Sequence, residues 1–405
     1  MHIDANSAYL SWTAVKMLEE GYENDIREIP AAVAGDPKNR HGIILAKSIP
    51  AKKRGVRTGE SLFEARRKCP ELQVFPHDFP LYMSFSDEMY RIISEYSPVI
   101  QRYSVDECFM DYTGSERKFG DPVSCAHRIR RRIREELGFT VNIGVAENRL
   151  LAKMASDFKK PDRVHSLFSH EIADKMWPLP VEDLFMVGRA TARRLHRINI
   201  NTIGDLAQAD PGLLQRLFKS HGILIRQYAN GIDPTPVVPN GEIPQKGLGN
   251  STTVDHDVST AEEAHMILLA LTERVAGRLR RIKKFARIVS VTVTSSEFMR
   301  YGHQIKLDSP TDITSEIFLY VRRLFDEVWQ GEKIRHLGVS LSELSGQCER
   351  NMSLFTEDRT EEMRDFAPKN GLCPLHPETK GLLACIRFPR ISFSPKIFHG
   401  SVMPP

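Results

Sequence analysis

Two adjacent carboxylates, Asp106 and Glu107, stand inside the apolar, β-prone run Tyr103–Asp111, in which Val105, Phe109 and Met110 call for burial. A carboxylate buried alone costs several kcal/mol, so such a pair has to meet a cation, a hydrogen-bond donor or water. Any fold for this chain must therefore bring a partner to the middle of a sheet. A divalent metal is one candidate. A turn cap or a solvated pair is the ordinary alternative for a dipeptide in a chain with 52 acidic residues. A second stretch, His2-Ile3-Asp4-Ala5-Asn6-Ser7-Ala8-Tyr9, narrows the choice by ending a short apolar strand on another acid.

From Ser7 to Glu20 the apolar residues Ala8, Trp12, Val15 and Leu18 recur at helical spacing, with Asn6 or Ser7 as N-cap and Gly21 past the end. Asp4 then sits where a strand hands over to a helix. That junction suits a metal-bound polyphosphate, because free backbone N–H groups face the anion while the carboxylate holds the cation. Downstream, residues 41–59 read as a strand running into a basic, glycine-punctuated segment that grips phosphate or forms a solvated cationic face. Thr140–Val145 reads as a strand, Asn148–Phe158 as a helix, and the face of Arg128–Arg134 as solvated. Strand, helix, the acids between two strands, helix, strand is the order of a split βαβ, ferredoxin-like unit. There Asp4 meets Asp106 and Glu107 on neighbouring central strands. Three carboxylates around one point suffice for two magnesium ions, with water and substrate phosphates completing the shells.

Asp4 with Tyr9 five residues on, Gly55-Val56-Arg57-Thr58-Gly59, Ser104-Val105-Asp106-Glu107, and Ala152-Lys153-Met154-Ala155-Ser156-Asp157 through Lys160-Pro161 resemble, in this order, the Y-family translesion DNA polymerases. The likeness covers roughly residues 1–345. It implies an α+β right hand: a ferredoxin-like palm (1–10 and 75–165), small fingers (11–74), a helical thumb (166–232), a linker (233–246) and a separate β-α-β-β-α-β little finger (247–345). By resemblance Asp4, Asp106 and Glu107 are catalytic and hold the metals, with the Ala5 carbonyl helping. Tyr9 is the steric gate against a 2′-hydroxyl, Lys160 contacts the triphosphate and Gly59 lies near the templating base. Ile49 and Lys52 stand where many members place a Tyr and an Arg on the triphosphate, and Lys52 supplies charge without a bidentate fork. Ala8, before the gate, is smaller than the aromatic that many members carry.

Leu184–Leu195 resembles a helix-hairpin-helix, whose turn offers backbone N–H groups to a DNA phosphate. Gly188 matches the second hairpin glycine and Met186 replaces the first. Arg189, Arg193, Arg194 and Arg197 recur at helical spacing beside it. Gly231–Gly241, with three prolines, is the clearest linker. Beyond it, Ser259–Glu263 offers a capping box, and Ala264, Leu268, Leu271, Val275 and Leu279 form an apolar helix stripe. Arg274, Arg278, Arg280, Arg281, Lys283, Lys284 and Arg287 crowd that helix end. Val289, Val291 and Val293 then alternate with Ser290, Thr292 and Thr294, a strand with one buried face against which a DNA backbone fits.

Past Gly346 the periodicity ends. Asn351-Met352-Ser353-Leu354-Phe355 resembles the clamp-binding peptide of bacterial replication proteins, with an apolar scrap in a tail as the equal alternative. No fold is expected for the tail from Ala367. The 405 residues, 41% apolar, describe a globular chain of several domains, and a net charge of +4 permits a nucleic-acid partner without requiring one. Six cysteines without Cys-x-x-Cys or paired Cys/His spacing argue against zinc or a disulfide framework. No apolar run approaches a transmembrane length and no signal peptide is recognised, so a cytoplasmic monomer is expected.

The function these readings support is DNA-templated nucleotidyl transfer. A primer 3′-hydroxyl attacks the α-phosphate of a dNTP on primed template DNA, with two Mg2+ ions, or Mn2+ in their place. Fidelity is low and no proofreading segment is recognised. The alternative is a catalytically impaired DNA-binding, clamp-recruited paralogue. A nucleotide cyclase on a similar palm would explain the first half only.

Overall fold

The computed structural model describes residues 1–36 and 42–346, folded as two compact units that meet in sequence at Ile243 and Pro244. In the first unit, β1 (His2–Ala5) leads into α1 (Ala8–Glu19). There follow β2 (Ala31–Ala34), β3 (Ile44–Lys47), α2 (Ile49–Lys53), α3 (Leu62–Lys68) and β4 (Gln73–Pro76). The chain continues through α4 (Phe79–Ser94), β5 (Ile100–Arg102), β6 (Glu107–Met110), α5 (Glu116–Phe119), α6 (Pro122–Leu137), β7 (Val141–Val145), α7 (Arg149–Asp157) and β8 (Val164–Ser166).

The central sheet runs β5-β6-β1-β7-β8, with β1 antiparallel to both β6 and β7. Its first four strands have the ferredoxin-like order expected from the sequence, and β8 adds a parallel edge strand. Ile3, Met110, Val141 and Ile143 face Leu10, Trp12, Tyr82, Ile92 and Ile129 in one core. Each such buried side chain is worth about 1.5–3 kcal/mol. α1 belongs to this core along most of its length, so it crosses the expected palm–fingers boundary at residue 10. The face of Arg128–Arg134 is more than solvated: Arg130 and Arg134 pair with Asp162, and Arg132 with Glu95 and Glu136. A small sheet, β3-β2-β4, encloses its own core of Ala32, Ile44, Ala51, Val56, Leu62 and Leu72.

Four helices, α8 (Arg189–His196), α9 (Ile203–Gln208), α10 (Pro211–Phe218) and α11 (Ser220–Ala229), close a third core around Leu195, Ile203, Leu206, Leu214 and Ile225. The proline-rich linker is fastened to the edge of the central sheet. Asn240 N–H donates to Ile100 O (3.2 Å), Arg102 N–H donates to Asn240 Oδ1 (2.8 Å) and Val238 N–H donates to Gln101 Oε1 (3.2 Å). Proline cannot continue a β-ladder, so side chains carry two of these bonds.

The second unit has the order β9 (Gly247–Val258), α12 (Ala261–Arg281), β10 (Phe285–Ser295), β11 (Arg300–Thr311), α13 (Thr314–Val328) and β12 (Ile334–Ser345). Val289, Val291 and Val293 are buried against the α12 stripe, as their period of two requires. The sheet order is β11-β10-β12-β9, which is not that of the first unit. Thr260 caps α12 by accepting from Glu263 N–H (3.3 Å), but the Glu263 carboxylate pairs with His256 instead of closing the box.

Candidate active site

Asp4 lies opposite Glu107 in the β1–β6 register, and Ala5 N–H donates to Asp106 O at 3.0 Å. The three acids are thus stitched together by backbone. Ser7 occupies the N-cap position of α1 in the left-handed region (φ 48°), and its side chain caps nothing. The turn is held from the helix side, where Ser11 Oγ donates to Asn6 O at 2.7 Å. Among the described residues no three His, Cys, Asp or Glu side chains converge as a ready-made metal cage. Lys160 binds Asp4, and Lys153 donates to both Glu107 oxygens at 3.0 and 3.1 Å.

Burial and the neighbouring acids push the Asp4 carboxyl up to about 6, against the pull of Lys160. Burial likewise raises Asp106, although Ser104 Oγ donates to its Oδ1 at 2.6 Å. Glu107 behaves differently: burial would raise it, but Lys153, bonded to both of its oxygens, holds it below the usual carboxylate range. His2 Nε2 stands 3.8 Å from Glu107 Oε2, beyond hydrogen bonding, and has no other partner, so the Lys153 bonds are the firmer hold. Burial keeps His2 neutral, with its titration pulled down to about 4. Ser156 Oγ gives its one hydrogen to Lys153 O (2.7 Å) and so accepts from His2 Nδ1 (2.8 Å), which assigns the bare ring nitrogen to Nε2. A mostly buried, oxygen-only donor set in which Asp4 and Asp106 are raised fits a hard divalent cation, which would relieve the repulsion among the acids.

α7 organises this face. Gly144 on β7 lets it approach so closely that a Cβ there would lie 1.8 Å from Ala152 O. Asn142 Nδ2 donates to Ser156 O (3.0 Å) and Lys159 O (2.8 Å), holding the C-terminal end of α7 where Lys160 follows. Lys160 also pairs with Asp157 at 2.8 Å, and the two acids hold its ammonium above the usual lysine range despite burial. Lys153, His2, Asn142 and Gly144 were not singled out as site residues in the sequence. Their one signal is a lysine in the middle of the helix that follows a strand, with Lys160 three residues past that helix.

Tyr9 is half-buried, its ring stacked on Tyr82 (4.6 Å, 15°) and meeting Phe79 edge-on, while Ala8 is buried beneath. On α2, Lys52 and Ile49 are exposed. Gly59 takes φ +84° and donates from its N–H to Ile44 O at 2.8 Å. Lys47, part of the 41–59 run but given no role of its own in the sequence, donates to Thr58 Oγ1 at 2.9 Å.

At the hairpin before α8 the left-handed residue is Met186 (φ 72°), while Gly188 has φ −83° and open space beside it. The conformation that favours glycine is thus kept at the position where glycine is missing. Arg189 and Arg193 are exposed, whereas Arg194 stacks on Phe218 (4.5 Å). In the second unit Arg281 and Lys283 are exposed and Lys284 is half-buried. Arg280 donates to Asp312 O and Thr314 Oγ1, and Arg287 to Leu307 O and Asp308 O, so the basic cluster is partly structural. Asn351, Met352, Ser353, Leu354 and Phe355 lie outside the described residues. No helix of the described residues is long and apolar enough to cross a membrane.

Residues 3–157 match the impB/mucB/samB family and residues 245–354 match its C-terminal domain. The chain is 47% identical over 357 residues to a DNA polymerase IV of Clostridium acetobutylicum, covering 88% of this chain and 89% of that protein. It is 38% identical over 362 residues to a DNA polymerase IV of Acetivibrio thermocellus, again covering 88% and 89%. Among solved structures, a Y-family DNA polymerase chimera of Dbh and Dpo4 superposes with a TM-score of 0.73 at 19% identity, covering 85% of this chain and 98% of that one. An insertion ternary complex of Dbh DNA polymerase gives 0.59 at 19% identity, with 84% and 97% covered. Matched in both halves, and across most of its length by relatives well above 30% identity, the chain belongs to the impB/mucB/samB family, the Y-family translesion DNA polymerases.

Proposed function

We propose that Asp4, Asp106 and Glu107 form the catalytic centre of this DNA-directed DNA polymerase, which adds dNTPs to the 3′ end of a primed template with low fidelity and without proofreading. The observation that carries the assignment is the β1–β6 register, which sets Asp4 opposite Glu107 and bonds Ala5 to Asp106. Two Mg2+ ions, or Mn2+ in their place, held by these carboxylates and the Ala5 carbonyl, would lower the pKa of the primer 3′-hydroxyl and stabilise the pyrophosphate leaving group.

The chain's own residues do the rest. Lys160 and Lys153 neutralise Asp4 and Glu107 in the protein alone, and Lys160 is the cation placed to turn to the triphosphate. Tyr9, stacked on Tyr82, presents its ring to the sugar and excludes a 2′-hydroxyl. Lys52 and Gly59 border the nucleotide and templating base. The hairpin at Gly188 with Arg189 and Arg193 holds duplex phosphates, as do Arg281, Lys283 and Lys284, with Arg287, braced on Leu307 O and Asp308 O, adding its charge beside them. The Dbh ternary complex among its structural relatives supports primed DNA and a dNTP as partners. The protein acts in DNA damage tolerance as a cytoplasmic monomer, and Asn351–Phe355 engages the bacterial sliding clamp.

Primer extension with dNTPs and Mg2+ tests the centre. The wild type is expected to extend in template order. The Asp106→Ala/Glu107→Ala double variant should lose at least about a thousandfold in rate while still binding DNA. Extension by the double variant at the wild-type rate would remove these residues from the centre.

A further inference from the structure

We propose that Lys47 is a further nucleotide-binding residue of this polymerase, an ammonium that joins Lys52 and Lys160 in gripping the triphosphate of the incoming dNTP. The inference rests on the polymerase reading above and assigns a residue that reading does not use.

Lys47 ends β3, and the corner that follows is locked. Ser48 Oγ donates to Ile29 O (2.6 Å) and accepts from Ala31 N–H (3.0 Å) and Ala51 N–H (3.2 Å). Lys47 and Lys52 therefore leave a rigid strand-to-helix corner and stay close enough to repel. Neither forms an ion pair with a carboxylate of the described residues. The nearby acid, Glu60, is already taken by Lys68 and by the Arg57 N–H (2.8 Å). Lys47 is half-buried, and burial, followed by the Lys52 charge, pulls its ammonium below the usual lysine range. A cation placed this way is costly until an anion arrives.

A purely structural role would be to tie down the turn through Thr58. That turn is already tied by Gly59 N–H to Ile44 O, by Ile44 N–H to Glu60 O (2.9 Å) and by the Ile43–Ser61 bridge. The Lys47 bond to Thr58 adds little to the turn, but it aims the ammonium at the residue beside Gly59, which borders the nucleotide in the reading above. β3 also packs on α1, the helix that carries Tyr9. A single ammonium at Lys52 cannot give the forked contact of a guanidinium, and two ammonium groups restore a two-point hold on phosphate.

The shared chemistry is a phosphate, from either the dNTP or the template strand, and the test separates them. Full-length Lys47→Met, Lys47→Arg and Thr58→Val are compared with wild type in three measurements: dNTP affinity of the complex with dideoxy-terminated primed DNA, affinity for that DNA, and single-nucleotide insertion. Lys47→Met should weaken dNTP binding by about tenfold with DNA affinity and melting temperature unchanged, and Lys47→Arg should recover most of it. Thr58→Val, which keeps the charge, should lose little. Wild-type dNTP affinity in Lys47→Met overturns the inference. So does a loss confined to DNA affinity, or an equal loss in Thr58→Val. Each of these leaves the polymerase reading standing, provided the wild type extends the primer. If the wild type neither extends nor takes up dNTP, both readings fall together.

Discussion

Asp4 and Glu107 face one another across β1 and β6, and each has its own lysine: Lys160 for Asp4 and Lys153 for Glu107. Like charges directly opposite on a sheet repel, and here the two counter-ions come from α7 and the residues just after it. The placement of one helix thus decides the electrostatics of the centre, and the first prediction concerns that helix.

Gly144→Ala puts a methyl group 1.8 Å from Ala152 O and 2.7 Å from Ser156 N, both backbone atoms. α7 has to move, taking Lys153 and Lys160 away from the acids. Thermal or denaturant unfolding should show a loss of about 3 kcal/mol. The residual folded protein should extend primers poorly. Wild-type stability would mean that α7 lies further from β7 than described.

Tyr9→Ala removes the ring that stacks on Tyr82. The ratio of dNTP to NTP insertion should fall by at least about tenfold, with little change in DNA affinity. Tyr82→Ala, which leaves Tyr9 in place but unsupported, should give a smaller fall in the same direction. Single-nucleotide insertion with matched dNTP and NTP measures both, and unchanged discrimination in Tyr9→Ala would remove it from the gate.

His2 and Asp4 pull the acid stability of the protein in opposite directions. The His2 titration is lowered by burial from 6.5 to about 4, so the unfolded chain takes up a proton first. This contribution is whole above pH 6.5 and is lost as pH falls towards 4, on the order of 3 kcal/mol in all. Asp4 is raised from 3.8 to about 6, chiefly by burial, so its contribution grows as pH falls through 6 towards 3.8. His2→Gln removes the first effect and keeps the second. Relative to wild type, and with chelator present, the variant should gain stability on moving from pH 7 to 5. Parallel stability curves would show that His2 is not buried as a neutral ring.

The basic cluster divides into phosphate ligands and braces. Arg281→Ala with Lys283→Ala should lower the salt dependence of DNA binding by about two charges without changing the melting temperature. Arg280→Ala should do the reverse, because its guanidinium joins α12 to Asp312 O and Thr314 Oγ1. A loss of about 1–2 kcal/mol with an unchanged salt slope is expected. Fluorescence anisotropy across a salt series, beside thermal melts, distinguishes the two roles.

The sequence alone determined which residues are acids inside apolar strands, where helices begin, and that the heart of the first unit and the second unit run β-α-β-β-α-β. These are local matters of periodicity, capping and side-chain chemistry, and Asp4, Asp106 and Glu107 stood out as candidate acids from them, whereas Tyr9 was named through the family resemblance alone. Strand neighbours were legible in the first unit, through its ferredoxin-like pattern, and not in the second. The same element order pairs as β5-β6-β1-β7 in the first unit and as β11-β10-β12-β9 in the second. Alternation says which face of a strand is buried, and both pairings bury the same faces. Nor could spacing show that Gly144 would admit α7, that Lys153 would take Glu107, or that Met186 would hold the left-handed turn. Those depend on how closely two backbones approach in three dimensions, which only the folded packing decides.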